Sequence, residues 1–318
     1  MSKESINYGK SIRSKLLNIA KSENIFYQTI LTRYFQERLI YRISQTPFRQ
    51  NFYLKGGALM YAHEKLAARP TLDIDFLGNN ISNNGEQIVA AFREICSFPC
   101  EEDGVKYDVE HITSKDITEL KDYHGVRLSI PVSMDTVAQV MTMDIGFGDV
   151  LTPAPVALDY PSLLKHLPAA NILAYSLETV VAEKMHAVID LADQSSRMKD
   201  YYDLYQILNT QELDTEVLQE AITRTFENRH TRYDPDTMFF RDDFSSNPIM
   251  KTRWKAFMKK IFAKSEDIPF SKVIAYLQKY LLPYWNHLNQ RRIFSIHIHS
   301  TKPRTSSSAE TSTGNSIL

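Results

Sequence analysis

The sequence predicts an α+β fold: a mixed sheet of about five strands flanked by helices, with N-terminal helices before it and a C-terminal helical domain after it. Three observations predict it. Apolar residues recur at three and four over residues 11 to 43, short alternating or β-branched runs interleave with a few helical turns between residues 52 and 145, and the helical period returns at Leu177. A chain of 318 residues with 43% apolar and 24% charged content excludes global disorder and collagen-like repeats. Its length suits two domains, or one with a large appendage. No apolar run approaches the roughly 18 residues that cross a membrane, and Met1-Ser2-Lys3-Glu4-Ser5-Ile6-Asn7 lacks the apolar stretch of a secretory signal. The expectation is a soluble, cytoplasmic protein without membrane contact.

The elements follow in order. Ile12, Leu16, Leu17, Ile25, Phe26, Ile30, Leu31, Phe35, Leu39 and Ile40 mark helix up to about Pro47, an N-terminal helical segment over residues 1–47. A core over 48–175 begins with a strand at Phe52 to Lys55, a turn at Gly56-Gly57, a helix from Ala58 to Leu66 and a strand from Leu72 to Leu77. A helix around Gln87 to Cys96 precedes three further strands, at Val105 to Ile112, Val126 to Val132 and Gln139 to Ile145. Pro153, Pro155, Pro161 and Pro168 then punctuate a connector, and a helical domain occupies 176–299. The Ser- and Thr-rich residues 300–318 read as a disordered tail. Cys96 and Cys100, the only cysteines, have neither a disulfide framework nor zinc-hairpin spacing and read as small apolar residues.

Charge divides unevenly. Residues 251 to 304 hold twelve Lys or Arg against Glu266 and Asp267, a local balance of +10, whereas residues 1 to 250 carry a balance of -10. An acidic body thus carries a basic end.

Five features bear on chemistry. Leu54-Lys55-Gly56-Gly57 stands where strand gives way to helix, so its amides suit either an anion or simply a tight turn. In Arg69-Pro70-Thr71-Leu72-Asp73-Ile74-Asp75-Phe76, strand alternation turns Leu72, Ile74 and Phe76 to the core. It leaves Asp73 and Asp75 about 6.6 Å apart on the other face. Their repulsion of roughly 2.5 kcal/mol at an effective dielectric near 20 is relieved either by water or by divalent cations. Asp144, in Met141-Thr142-Met143-Asp144-Ile145, completes a three-carboxylate metal cluster if its strand lies beside the first; Asp149, past Gly146 and Gly148, is a loop alternative. On the helix from Ser176, Lys184 takes the inward place in a stripe of Leu177, Val181, Val188 and Leu191. It either snorkels or aims its ammonium at the acidic cluster or its phosphates. Asp200 and Asp203 share one surface of the next helix, where they orient Lys184, serve as base, cap, or pair with Arg197 and Lys199.

Lys55-Gly56-Gly57-Ala58-Leu59, Arg69 to Phe76, Asp144-Ile145, Glu178 to Lys184 and Lys199-Asp200-Tyr201-Tyr202-Asp203-Leu204, in this order, resemble the AbiEii/AbiGii toxin family of nucleotidyltransferases over about residues 50 to 210. The resemblance implies a fold like the polymerase β nucleotidyltransferases and a role in bacterial toxin–antitoxin or abortive-infection systems. It implies metal binding by Asp73 and Asp75, triphosphate binding by Gly56 and Gly57, and essential polar roles for Lys184 and Asp203. The turn here is Gly-Gly rather than the superfamily's common Gly-Ser, so no serine hydroxyl serves there.

The expected reaction is nucleotide transfer from an NTP to an acceptor hydroxyl, with two Mg²⁺ ions, or Mn²⁺ in their place, held by Asp73, Asp75 and Asp144. Asp73, Asp75, Lys184 and Asp203 are the expected catalytic residues, and Lys55, Gly56, Gly57, Arg69, Thr71 and Asp200 the expected substrate-binding ones. Related toxins act on tRNA, so the resemblance makes RNA, such as tRNA, a candidate acceptor, to whose backbone the basic segment with Tyr276, Tyr280, Tyr284 and Trp285 could offer charge and stacking surface. A cognate antitoxin protein is the expected partner. Two other functions remain open: a nucleotide-binding module acting through a protein partner, and a nucleotidyltransferase for antibiotic-type small molecules.

Overall fold

The computed structural model describes residues 7–119, 123–261 and 268–300, so the expected tail over 300–318 lies outside the described residues except for Ser300. The N-terminal period resolves into two helices, α1 (Tyr8–Ser22) and α2 (Tyr27–Ser44), rather than one. Asn24 breaks them with a φ of 53°, a conformation asparagine tolerates better than most residues. α2 is buried along most of its length, and its Arg42 and Arg38 bind the buried Asp103 at 2.6 and 3.2 Å.

Eight strands form one mixed sheet among the described residues: β1 (Phe52–Lys55), β2 (Asp73–Gly78), β3 (Lys106–Tyr107), β4 (Thr113–Glu119), β5 (Tyr123–Met134), β6 (Val137–Gly146), β7 (Val156–Tyr160) and β8 (Ala170–Ala174). The order is β3-β5-β6-β2-β1-β8-β7, with β4 paired to β5. β2 runs parallel to β6 and antiparallel to β1, and β1 runs parallel to β8.

The sheet exceeds the expected five strands for identifiable reasons. β4 carries one apolar residue, Ile117, and so lacks a hydrophobic period; β7 lies between Pro155 and Pro161 and β8 follows Pro168, so the proline-rich stretch masks both as connector. The expected strand over Val105 to Ile112 shrinks to β3 followed by a 3₁₀ turn. The Gly-Gly turn is the first turn of a helix, α3 (Gly56–Glu64). Ile74 and Phe76 are fully buried as expected, but Leu72 lies ahead of β2 and is 73% exposed.

α4 (Gly85–Cys96) opens with an Asn84 side chain accepting from the amides of Glu86 and Gln87. The second half is helical: α5 (Leu177–Leu191), α6 (Met198–Thr210), α7 (Thr215–Asn228), α8 (Pro248–Ile261) and α9 (Phe270–Ser300). Tyr201, Trp254, Phe239, Phe244 and Phe270 make its aromatic core, with ring centroids 5.7 to 6.4 Å apart. Trp285 is buried there too, its indole donating to the carbonyl of Asp234 at 3.3 Å, so it is not a stacking surface. No helix of the described residues is long and apolar enough to cross a membrane.

Candidate active site

Strand register builds the site. Lys55 on β1 pairs with Asp75 on β2, Asp75 with Asp144 on β6, and Asp144 with Arg127 on β5, so four side chains project from one row across four strands. The charge along it runs plus, minus, minus, plus. One step along, Asp73 pairs with Thr142, whose hydroxyl donates to the Asp73 carboxylate. Asp144 therefore lies beside Asp75, in the adjacency that spacing left open. Burial pushes the Asp75 carboxyl above its ordinary range; Lys199 and Lys55 oppose this, and Asp144 and Asp73 add to it.

Glycine permits the close approach at this face. Gly56 has a φ of 68°, and a Cβ there would collide with the Asp75 carboxylate. A Cβ on Gly57 would come within 2.7 Å of Thr71 Cβ and Oγ1. The α3 N-terminus has no side-chain cap, so its first amides remain available to an anion beside Asp75.

The residues fit a divalent cation. Asp73 and Asp75 are hard oxygen donors on one face, and Gly56, lacking a Cβ, makes room for the Asp75 carboxylate. Among the described residues no three Asp, Glu, His or Cys groups converge as a metal cage in this conformation. Asp144 instead receives two bonds from Arg127, Nε to Oδ1 at 2.7 Å and Nη2 to Oδ2 at 2.6 Å.

A second cluster joins α5, α6 and the segment before β2. Arg69 donates Nε to Asp203 Oδ1 at 2.7 Å and Nη2 to Oδ2 at 2.8 Å; Lys184 lies 2.8 Å from Asp203 and 2.9 Å from Asp200. Arg197 binds Asp200 at 2.8 Å. Burial raises the Asp203 carboxyl, but Lys184 and Arg69 outweigh it and hold it below its ordinary value, which suits orientation of those cations rather than proton acceptance. Asp200 is pulled down to about 2, burial being overcome by Lys184 and Arg197. Lys184 is thus turned to Asp200 and Asp203, and not to Asp73 and Asp75. Arg69 and the exposed Lys199 both feel Asp75, and Lys199 also feels Asp200, so the clusters are contiguous.

A third cluster holds Lys55 from behind. Its ammonium donates to Asp149 Oδ2 at 2.6 Å and lies 4.0 Å from Glu183; Tyr175 donates to Asp149 at 3.1 Å, and Arg229 reaches Asp149 at 3.4 Å and Glu183 at 3.6 Å. Asp149 belongs to this support and not to the carboxylate row. Burial lifts Glu183 to about 7 against the pull of Lys55.

Arg127, Thr142, Lys199, Glu183, Arg229 and Tyr175 escaped assignment from sequence. Thr142 and Arg127 carried a signal, each being a polar residue on the outward side of an alternating strand. Arg229 carried none, since it follows α7 with no periodicity to mark it.

Among solved structures, JHP933 from Helicobacter pylori is 12% identical, with 86% of this chain and 98% of that chain covered and a TM-score of 0.49. A second H. pylori protein, provisionally described as a nucleotidyltransferase, is 12% identical, with 83% and 97% covered and a TM-score of 0.47. No curated protein matches the chain. A family model for the nucleotidyl transferase AbiEii toxin of type IV toxin–antitoxin systems matches residues 38–279, which span the row, the glycine turn and both supporting clusters. The chain belongs to this AbiEii family of nucleotidyl transferase toxins.

Proposed function

We propose that this toxin transfers a nucleotide from an NTP to a hydroxyl of RNA, tRNA foremost, in the cytoplasm and with Mg²⁺. The observation that carries the reading is the row Lys55–Asp75–Asp144–Arg127 with Asp73 beside it and the glycine turn against it. Bound Mg²⁺, for which Mn²⁺ can substitute, supplies Lewis acidity toward the α-phosphate, and Asp73, Asp75 and Asp144 are its holders. The amides at Gly56 and Gly57 and the start of α3 bind the β- and γ-phosphates, with Thr71 packed beneath the turn. Lys55 and Lys199 offset phosphate charge beside Asp75. Asp203 and Asp200 fix Arg69 and Lys184 at the edge of that space. The acceptor oxygen bonds to the α-phosphorus, the bond to the β-phosphate oxygen breaks, pyrophosphate leaves, and the acceptor's proton passes to a carboxylate of this face.

RNA as acceptor draws on the basic end. Lys251, Lys255, Lys259, Lys260, Lys272 and Lys279 are exposed on α8 and α9. Tyr276, Tyr280 and Tyr284 form a half-buried ladder on α9, with centroids 6.4 and 6.1 Å apart and rings tilted by 25° and 21°. Charge with stacking rings suits a single-stranded RNA end.

The test incubates purified protein with each α-labelled NTP, Mg²⁺ and total bacterial RNA, beside an Asp73→Ala Asp75→Ala protein. Label entering RNA only with the unmodified protein is expected. Pyrophosphate without labelled RNA would move the acceptor to a small molecule or protein, and no pyrophosphate with any NTP would overturn the reaction itself.

A further inference from the structure

The outer end of the carboxylate row is closed by an arginine. Arg127 takes both oxygens of Asp144, yet its side chain is 45% exposed and that of Asp144 22%, so the pair is not part of the buried core. At that exposure an ion pair adds little to stability. Its placement has a sharper consequence: a fork-like guanidinium occupies both oxygen atoms on the side a chelated divalent cation would take from Asp144, so the two compete for that carboxylate. Lys55, at the row's other end, donates to Asp149, and Lys115 on β4 pairs in register with Arg127 on its far side. Arg127 is thus a cation of the row that rests on a prospective metal ligand.

Arg127 also stands apart from the triphosphate end. Lys55 and the glycine turn lie three strands away, about 14 Å at the usual strand spacing. Around Arg127 the same face carries Ser129 and Val140, the latter 61% exposed, an open sheet surface on the side where a second substrate has room.

We infer that Arg127 is a displaceable counter-cation of the active site: it holds Asp144 when no metal is bound, yields that carboxylate to the metal, and then presents its guanidinium to a phosphate of the RNA acceptor. This rests on the metal-dependent reading of the row. Metal loading and acceptor binding are then coupled through one side chain, and Arg127 acts as a positioning residue.

The test measures Mn²⁺ affinity by electron paramagnetic resonance, without nucleotide, for the unmodified protein, Arg127→Gln, Asp144→Asn and the double variant. Arg127→Gln should bind Mn²⁺ about tenfold more tightly, and the gain should vanish in the Asp144→Asn background. In the labelling assay at saturating metal, Arg127→Gln should raise KM for RNA while leaving KM for the NTP unchanged. Equal or weaker Mn²⁺ binding by Arg127→Gln overturns the inference, as does an unchanged KM for RNA. Failure of the underlying reading looks different: the Asp73→Ala Asp75→Ala protein would then bind Mn²⁺ as the unmodified protein does. Circular dichroism of each variant establishes that loss of fold is not the cause.

Discussion

Gly56 shows how closely the carboxylate face is packed around one missing atom. Its φ of 68° is costly for any other residue, and the carboxylate of Asp75 fills the place where a Cβ would project. Gly56→Ala should therefore displace Asp75, cutting RNA labelling by about 100-fold or more while lowering stability by about 1 to 3 kcal/mol. Parallel labelling and thermal melts check this; a variant that melts lower but labels normally would remove Gly56 from the site. The glycine pair was legible in the sequence as a strand-to-helix turn. What it accommodates was not, because Asp75 and Thr71 come against it only through the pairing of β1 with β2.

At the level of elements, α5 supplies two adjacent side chains to two different clusters, Glu183 to Lys55 and Lys184 to Asp200 and Asp203. Glu183 is surrounded by Lys55, Asp149, Arg229 and Tyr175, and burial lifts its carboxyl to about 7. A carboxyl raised on folding favours the native state most below its unfolded value of 4.5, and that contribution is lost as pH rises through 7. Glu183→Gln, which cannot ionise, should gain in melting temperature relative to the unmodified protein between pH 5 and 7.5; a constant difference across that range would refute the raised carboxyl. Elements with their own period were legible, as with β2, β6, α5 and α6. β4, β7 and β8 were not, since a solvent-facing strand with one apolar residue and short strands in a proline-punctuated stretch leave no clear alternation to detect. Leu72 misled because alternation was extended one residue beyond the true start of β2. The row itself needed register: Asp144 was nameable as a third acid, while its Arg127 partner required knowing that β5 returns against β6.

Across the whole molecule, an acidic body carries a basic end, and α9 brings its tyrosine ladder to the surface on that end. If RNA lies along α8 and α9, binding releases counterions from its phosphates. RNA affinity should fall several-fold between about 50 and 200 mM salt, and Tyr280→Ala should weaken it by roughly tenfold with pyrophosphate release at saturating RNA intact. Filter binding at several salt concentrations checks both, and salt-independent affinity would place the acceptor elsewhere. Topology adds a consequence in time. β1 is completed by β8, through Leu54 opposite Ala174, and the supports of the row come from Glu183, Lys184, Asp203 and Arg229. A ribosome releases the glycine turn and the Asp73–Asp75 strand long before those partners exist. If the proposed site is right, the nascent chain should be inert until its helical half has emerged, and a message cut short within that half should yield an inactive fragment.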